Sequence, residues 1–555
     1  MSTRSSHRAR HGRALTSLSL LGALLLTACG SGDGGADGSG PADENAEPVA
    51  GGSLTWGVSV EPVCYNPQRS GQQNSYPIIR NYAESLVGKA ADGSFTPWLA
   101  SGWEISEDET TYTFTLHEGV TFSDGTPLTA EIVKANYDAI AAEDSTLNAR
   151  AGFVAYASSE AVDEHTLEVT LSQPDAAFLD SVASIGASVL SPTSLASETD
   201  LCQPSDELIG TGPFTVDDWT AGQEISFTSR DDYDWAPGYA QHTGPAYLDE
   251  VTYRFLPEAT VRSGALSAGQ VDVIENVQVT DTTLFQDVDG FQYLTGPTTG
   301  TAFSLNINTR IAPADDVRVR QALRDGFDLD TLIEGQYLGT VERAYSSLGP
   351  DSPYFDEDLV GTWGNDIDGA NALLDEAGWT ERDSDGYRTK DGERLTIVVG
   401  YPEPYVRDER DVLLQAIKAE LKDNIGLNLD VRIITGAEFS AETADGSWTV
   451  YPNTLPTADP SNLFRSIFSS DGFLYAGADA EHVLDDLVQQ SRNSLDPAAR
   501  QQAFDEIQAT VVGDARYVPL YHPVYTVAAA DTVHGLSFEP QLDSPASSYD
   551  IWVQP

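Results

Sequence analysis

The sequence predicts an α/β fold. Period-two strands occupy the first third of the chain, and in the second half a helical stripe stops at a glycine and feeds directly into a strand. Leu54, Trp56, Val58 and Val60 alternate with smaller residues, the spacing of a strand with one buried face. Tyr112, Phe114 and Leu116 alternate in the same way. Glu118-Gly119 then turns the chain, and Val120 and Phe122 continue it, which predicts a hairpin with a short loop. Ser123-Asp124-Gly125-Thr126-Pro127 is another turn, and Thr129 is placed to cap a helix through Ile132, Val133 and Tyr137. Leu167, Val169 and Leu171 form one more strand, ended by Pro174. Further on, Val319, Leu323 and Phe327 lie four apart on a helix entered through Asp315 or Asp316. A short helix over 369–377 ends at Gly378, and the Asp- and Gly-rich run 383–392 leads into a strand over 395–399. Leu413, Leu414, Ile417 and Leu421 line a helix that stops near Gly426, after which Leu427, Leu429, Val431 and Ile433 alternate. No tandem repeat is present.

The N-terminus carries an address. Arg4, Arg8, Arg10 and Arg13 precede an apolar run over 15–26, too short for a membrane span of roughly 20 residues. This reads as a secretory signal peptide over 1–28. Leu26-Thr27-Ala28-Cys29 resembles a lipobox, which makes Cys29 the expected lipidation site. Residues 29–52 are Gly, Ser, Asp and Ala with little to bury, a flexible tether. The expected location is the extracytoplasmic face of the cell membrane, held by acyl chains.

Composition sets further bounds. The 555 residues predict two or three domains, and 40% hydrophobic residues with nine Trp supply a sizeable core. A net charge of −56 argues against nucleic acid as a partner, because a phosphate chain would be repelled. The acidity reads as a solvated surface or as an attractor for cationic solutes. With Cys29 lipidated, Cys64 and Cys202 remain as an even pair in an oxidising location, and a disulfide between them is expected, against the alternative of two buried thiols.

The motifs of catalysis are missing. There is no G-x-S-x-G elbow, S-x-x-K, H-E-x-x-H or phosphate-binding G-x-x-x-x-G-K-[ST] loop. Gly210-Thr211-Gly212-Pro213 lacks the lysine that would hold a phosphate and reads as a tight turn. His117, His165, His242, His482, His522 and His534 are scattered without metal-ligand spacing. Asp383-Ser384-Asp385-Gly386 hints at a calcium loop, but Gly392 stands where the closing Glu belongs, so a β-turn is expected. No catalytic residue, cofactor or metal site is assigned, and the chain is not expected to be an enzyme.

Several blocks in order resemble the family 5 extracellular solute-binding proteins, the dipeptide/oligopeptide/nickel-binding type that serves ABC importers. "YAESLV" at 82–87 resembles an early helix of that family, and the block from Thr96 to Glu131 is the most specific match. "IGTGPF" at 209–214, "RDDYDW" at 230–235, "LSAGQVDV" at 266–273, "VRVRQALRDGFDLDTLI" at 317–333 and "LLDEAGW" at 373–379 follow. Ile132 stands where the family usually has Asp, and Phe327-Asp328-Leu329-Asp330 replaces its "iDr".

The resemblance implies a two-lobed periplasmic-binding-protein type II fold. Lobe I is expected over 53–302 plus 522–555, with an extra subdomain inserted near 88–205. Lobe II is expected over 303–521, and two crossover strands join the lobes. One cleft wall would come from "CYNPQRSGQQNS", with Tyr65, Asn66, Ser70, Gly71 and Gln72 as ligand-binding candidates. The other would lie near "SWTVYPNTLPTADPSNLF". Peptide-binding relatives place a carboxylate four residues before the Pro of their "DP" pair, and here that position is Pro456. Their Trp falls on Asn453 unless a gap restores Trp448 or Tyr451. Asp459 is a candidate whose other reading is a helix cap, and Tyr401 completes the set. The resemblance implies a monomer that captures a solute, by default a peptide, and passes it to a membrane permease. Import of a metal chelate or an amine-containing metabolite, or sensing without import, are the alternatives.

Overall fold

The computed structural model describes residues 47–90, 92–455, 459–472, 474, 483–539 and 544–555. Cys29 and Pro456 lie outside them. Two large sheets organise the chain. The first has seven strands in the order Phe291–Thr295, Thr526–Ala530, Val273–Glu275, Ser53–Val58, Glu250–Phe255, Glu224–Ser229 and Phe214–Thr220. Ser53–Val58 is central and runs parallel to both neighbours, with Leu54 beside Val251 and Trp56 beside Val273. Its alternation buries Leu54, Trp56 and Val58, and Trp56 stacks on Tyr253 at 5.9 Å.

The second sheet has six strands in the order Glu342–Arg343, Tyr517–His522, Phe303–Ile307, Val450–Asn453, Thr396–Pro402 and Asn428–Ile434. Here the helix–glycine–strand expectation is met. The helix Arg410–Ile425 buries Leu413, Leu414, Ile417 and Leu421, and Gly426 closes it at φ 71°. The strand Asn428–Ile434 follows, parallel to Thr396–Pro402. Asp316, rather than Asp315, caps Val317–Asp325 by accepting from the Arg318 N–H.

Each sheet has its own hydrophobic core, one around Leu54, Trp56 and Tyr253, the other around Phe303, Ile397 and Leu414. The chain leaves the first sheet after Thr295 and enters the second at Phe303; it returns after His522 and re-enters the first at Thr526. His522 thus belongs to the second sheet, paired with Glu342. Arg410 clamps both crossings. Its guanidinium lies 4.7 Å over the Phe303 ring, and its Nε donates to the Tyr521 hydroxyl at 2.9 Å.

A four-stranded antiparallel sheet lies between Ala100 and Leu171, in the order Ala100–Ile105, Thr111–Leu116, Thr166–Leu171, Tyr156–Ala161. Thr111–Leu116 pairs with Ala100–Ile105 and Thr166–Leu171, so the hairpin expected with Val120 and Phe122 does not form. Those two residues are buried around the Asp124-Gly125 turn instead, where the Phe122 N–H donates to the Thr126 carbonyl at 2.8 Å. Thr129 caps the helix Ala130–Ala141 as expected.

Residues 82–86 are not helical, a second correction. Their main chain bonds to other segments: the Gly212 N–H donates to Tyr82 O, Val189 N–H to Glu84 O, and Ala100 N–H to Leu86 O. This explains the glycine turn. A Cβ on Gly210 would stand 1.9 Å from Tyr82 O, and one on Gly212 would stand 2.6 Å from Asn81 O. Only glycine lets the two backbones approach this closely.

Candidate functional site

The loop after the central strand is tied to the inserted region. A disulfide joins Cys64 to Cys202. Beside it, the Tyr65 N–H donates to Cys202 O at 3.2 Å and Asn66 Nδ2 donates to Asp200 O at 3.0 Å. Asn66 Oδ1 accepts from the Gln68 N–H, Ser70 Oγ lies 2.6 Å from Ser75 Oγ, and Gln72 Oε1 accepts from the Val63 N–H. Gly71 packs near Asn148, where an added Cβ would stand 3.0 Å from Nδ2. Most polar groups proposed for this wall therefore hold the loop itself. Tyr65 differs. It is buried against the edge of Trp219, its hydroxyl makes no hydrogen bond among the described residues, and burial raises its pKa well above the ordinary tyrosine range.

In lobe II, Tyr401 is buried and donates to Tyr405 O at 2.6 Å. Tyr451 stacks on Phe439 at 4.5 Å with Trp448 edge-on at 6.4 Å, a packed aromatic group. Asn453 ends its strand beside the outgoing crossing. Its Oδ1 accepts from the Tyr517 hydroxyl at 3.0 Å, while its buried Nδ2 has no partner among the described residues. A buried amide donor without a partner is costly. Asp459 does cap the helix Pro460–Phe468, accepting from the Ser461 N–H at 3.0 Å. Both of its oxygens also accept from Arg500 Nη2, Oδ1 at 2.6 Å and Oδ2 at 2.5 Å. Burial disfavours its charge, but Arg500 and the cap outweigh that and hold its pKa below the ordinary value.

Apart from Asp459, the lobes meet through residues the sequence did not mark. Arg492, at the end of the helix Val483–Arg492, donates to Asp175 Oδ2 at 2.5 Å. The Asp459 N–H donates to Asp180 Oδ2 at 2.5 Å, and Asp180 Oδ1 accepts from Lys89 Nζ at 2.6 Å. Asp175 is raised by burial against the pull of Arg492. Lys89 is raised because Asp180 outweighs the burial penalty. Only Asp459, in the Asp-Pro pair, lies in a recognisable motif. Only Pro174 before Asp175 and the cap at Asp459 are local signals, and neither says that the two segments meet.

Two α/β lobes, each with its own core, are joined by two short crossings and touch through buried polar groups, an architecture that permits hinge closure. The comparisons name the group: residues 94–474 match the model of the bacterial extracellular solute-binding proteins, family 5, and the chain belongs to that family. By sequence it is 26% identical over 553 residues to the oligopeptide-binding protein AppA of Bacillus subtilis, covering 96% of this chain and 98% of AppA. It is 23% identical over 466 residues to the glutathione-binding protein GsiB of Shigella flexneri, covering 82% of this chain and 86% of GsiB. Among solved structures, NikA of Brucella suis with Fe(III)-EDTA superposes with a TM-score of 0.80 at 24% identity, covering 91% of this chain and all of NikA. AppA with a nonapeptide gives a TM-score of 0.76 at 23% identity, covering 92% and 100%. The fold is the periplasmic-binding-protein type II fold. No helix among the described residues is long and apolar enough to cross a membrane.

Proposed function

We propose that this chain captures a peptide between its two lobes and delivers it to an ABC permease, held at the extracytoplasmic membrane face by lipid on Cys29. The observation that carries the reading is the pair of separate cores joined by crossings at 296–302 and 523–525 and in contact across buried polar groups. Such a body binds whatever stabilises its closed form more than its open form. The relatives named for oligopeptide and glutathione favour a peptide. The cleft walls would carry the Tyr65 and Asp459 regions, with the free Asn453 Nδ2 donor aimed at a peptide carbonyl. The lipobox and tether supply the anchor. Lobe I covers about 53–295 and 526–555, with the insert near 88–205, and the molecule works as a monomer that binds solute without transforming it.

Thermal-shift screening against peptides of two to six residues tests this. A cognate peptide at a hundred times its Kd should stabilise the chain by about 2.7 kcal/mol. Metal-chelate cargo is a second reading, favoured by the likeness to NikA bound to Fe(III)-EDTA. A shift with a chelate and none with any peptide would select it.

A further inference from the structure

We infer that the inserted region serves solute binding as a bracket: it holds the loop from Cys64 to Gly71 in the shape the cleft wall needs, with Gln68 and Asn136 as the positioning pair. The inference rests on the insert and cleft wall proposed above but on no particular solute. Four separate stretches of the insert grip the loop. At its start, the Cys64–Cys202 disulfide is flanked by the bonds from the Tyr65 N–H to Cys202 O and from Asn66 Nδ2 to Asp200 O. At its middle, Gln68 Nε2 donates to Asn136 Oδ1 at 2.8 Å and to Ser188 O at 3.2 Å. Towards its end, the Ala149 N–H donates to Gln68 O at 3.1 Å, Asn148 Nδ2 donates to Arg69 O, and Arg69 Nη1 donates to Thr146 Oγ1 at 3.1 Å.

Asn136 is the centre of this joint. It stands in the helix Ala130–Ala141, on the face that buries Val133, Tyr137 and Ile140. A buried amide on such a face is costly unless its donors and acceptor are all satisfied. Here Nδ2 donates to Ile132 O and to Leu190 O, both at 2.9 Å, and Oδ1 accepts from the Leu190 N–H at 3.0 Å as well as from Gln68. One side chain thus fastens the helix, the segment at 188–190 and the loop. Asn136 is wholly buried and Gln68 is 2% exposed, so water does not compete for the bond between them. The loop depends on such a grip, because no helix or strand forms between Val58 and Gln73. From the rest of lobe I it receives the Tyr82 hydroxyl on Tyr65 O and the edge of Trp219. A wall already held in its bound shape spares a solute the entropy of ordering it.

Hydrogen–deuterium exchange of the full chain without solute, read by mass spectrometry, tests the bracket. Gln68→Met keeps the length of the side chain and removes its donor, while Asn136 keeps its bonds to Ile132 and Leu190. Exchange over 65–72 should rise about tenfold in this variant, with the insert and both large sheets unchanged. Asn148→Ala cuts the grip at an exposed side chain, where folding is not at risk, and should raise the same exchange about threefold. Tyr156→Phe removes the hydroxyl that bonds Asp138 and Ser159 inside the insert, and should leave the loop at the wild-type rate. Native mass spectrometry with a mixture of peptides of two to six residues gives the second readout. Gln68→Met should hold about tenfold less peptide than wild type, and Tyr156→Phe as much. Unchanged loop exchange in Gln68→Met and Asn148→Ala would overturn the inference, and so would a loosened loop with undiminished peptide binding. If wild type holds no peptide, peptide capture fails, and the exchange rates alone decide whether the insert holds the loop.

Discussion

His522 should make the stability of this protein fall with acid, and the amount can be worked out. It closes the strand that returns to lobe I, is 4% exposed, and its Nδ1 has no partner among the described residues. Burial disfavours the imidazolium, only partly offset by Asp351, and pushes its pKa down from 6.5 to about 4. A base whose pKa is lowered by folding is neutral in the folded chain at a pH where the unfolded chain binds a proton. The resulting loss of stability is absent above about pH 6.5, grows as pH falls, and is complete below about pH 4. The fall from 6.5 to about 4 corresponds to about 3.4 kcal/mol in full, of which about 2 kcal/mol falls between pH 7 and pH 5. Urea unfolding followed by tryptophan fluorescence at both pH values, for wild type and His522→Gln, isolates this contribution, since the carboxylates titrate alike in both. Wild type should lose about 2 kcal/mol more than the variant on going from pH 7 to pH 5. Equal losses would refute the reasoning.

Four further outcomes are expected. Replacing both Cys64 and Cys202 with Ser opens a loop of 138 residues, for which chain entropy sets a ceiling of about 5 kcal/mol of lost stability, read by denaturant midpoint. Gly212→Ala drives a Cβ to within 2.6 Å of Asn81 O and should cost about 1–3 kcal/mol in the same assay. Arg500→Met leaves Asp459 charged and buried without its ion-pair partner, a loss of about 3–5 kcal/mol in thermal unfolding. Asn453→Asp keeps an acceptor for the Tyr517 hydroxyl but removes the free amide donor, and calorimetry should show solute binding weakened about tenfold.

The local signals in this sequence were legible where the chain makes local bonds. Thr129, Asp316, Asp459 and Gly426 all terminate helices as their side chains or freedom of φ dictate. The misreadings fell where backbone partners are distant. Val120 and Phe122 have strand-like spacing, but the neighbours of Thr111–Leu116 come from elsewhere in the chain. Residues 82–86 spend their main-chain bonds on segments near 99, 189 and 212. The site was least legible for the same reason. Asn66, Ser70, Gln72 and Tyr401 have the chemistry of ligand contacts, yet Asn66 is engaged by Asp200 and the polar atoms of the other three by their own loops. Asp175 and Arg492 are 317 residues apart, and nothing in the sequence around either names the other.

Native mass spectrometry of the gently purified full chain, incubated with a peptide mixture of two to six residues, tests solute capture most directly. A single small molecule should be bound per chain and lost when the chain unfolds. A spectrum holding only the bare chain at every peptide concentration, with no molecule carried through purification, would contradict it.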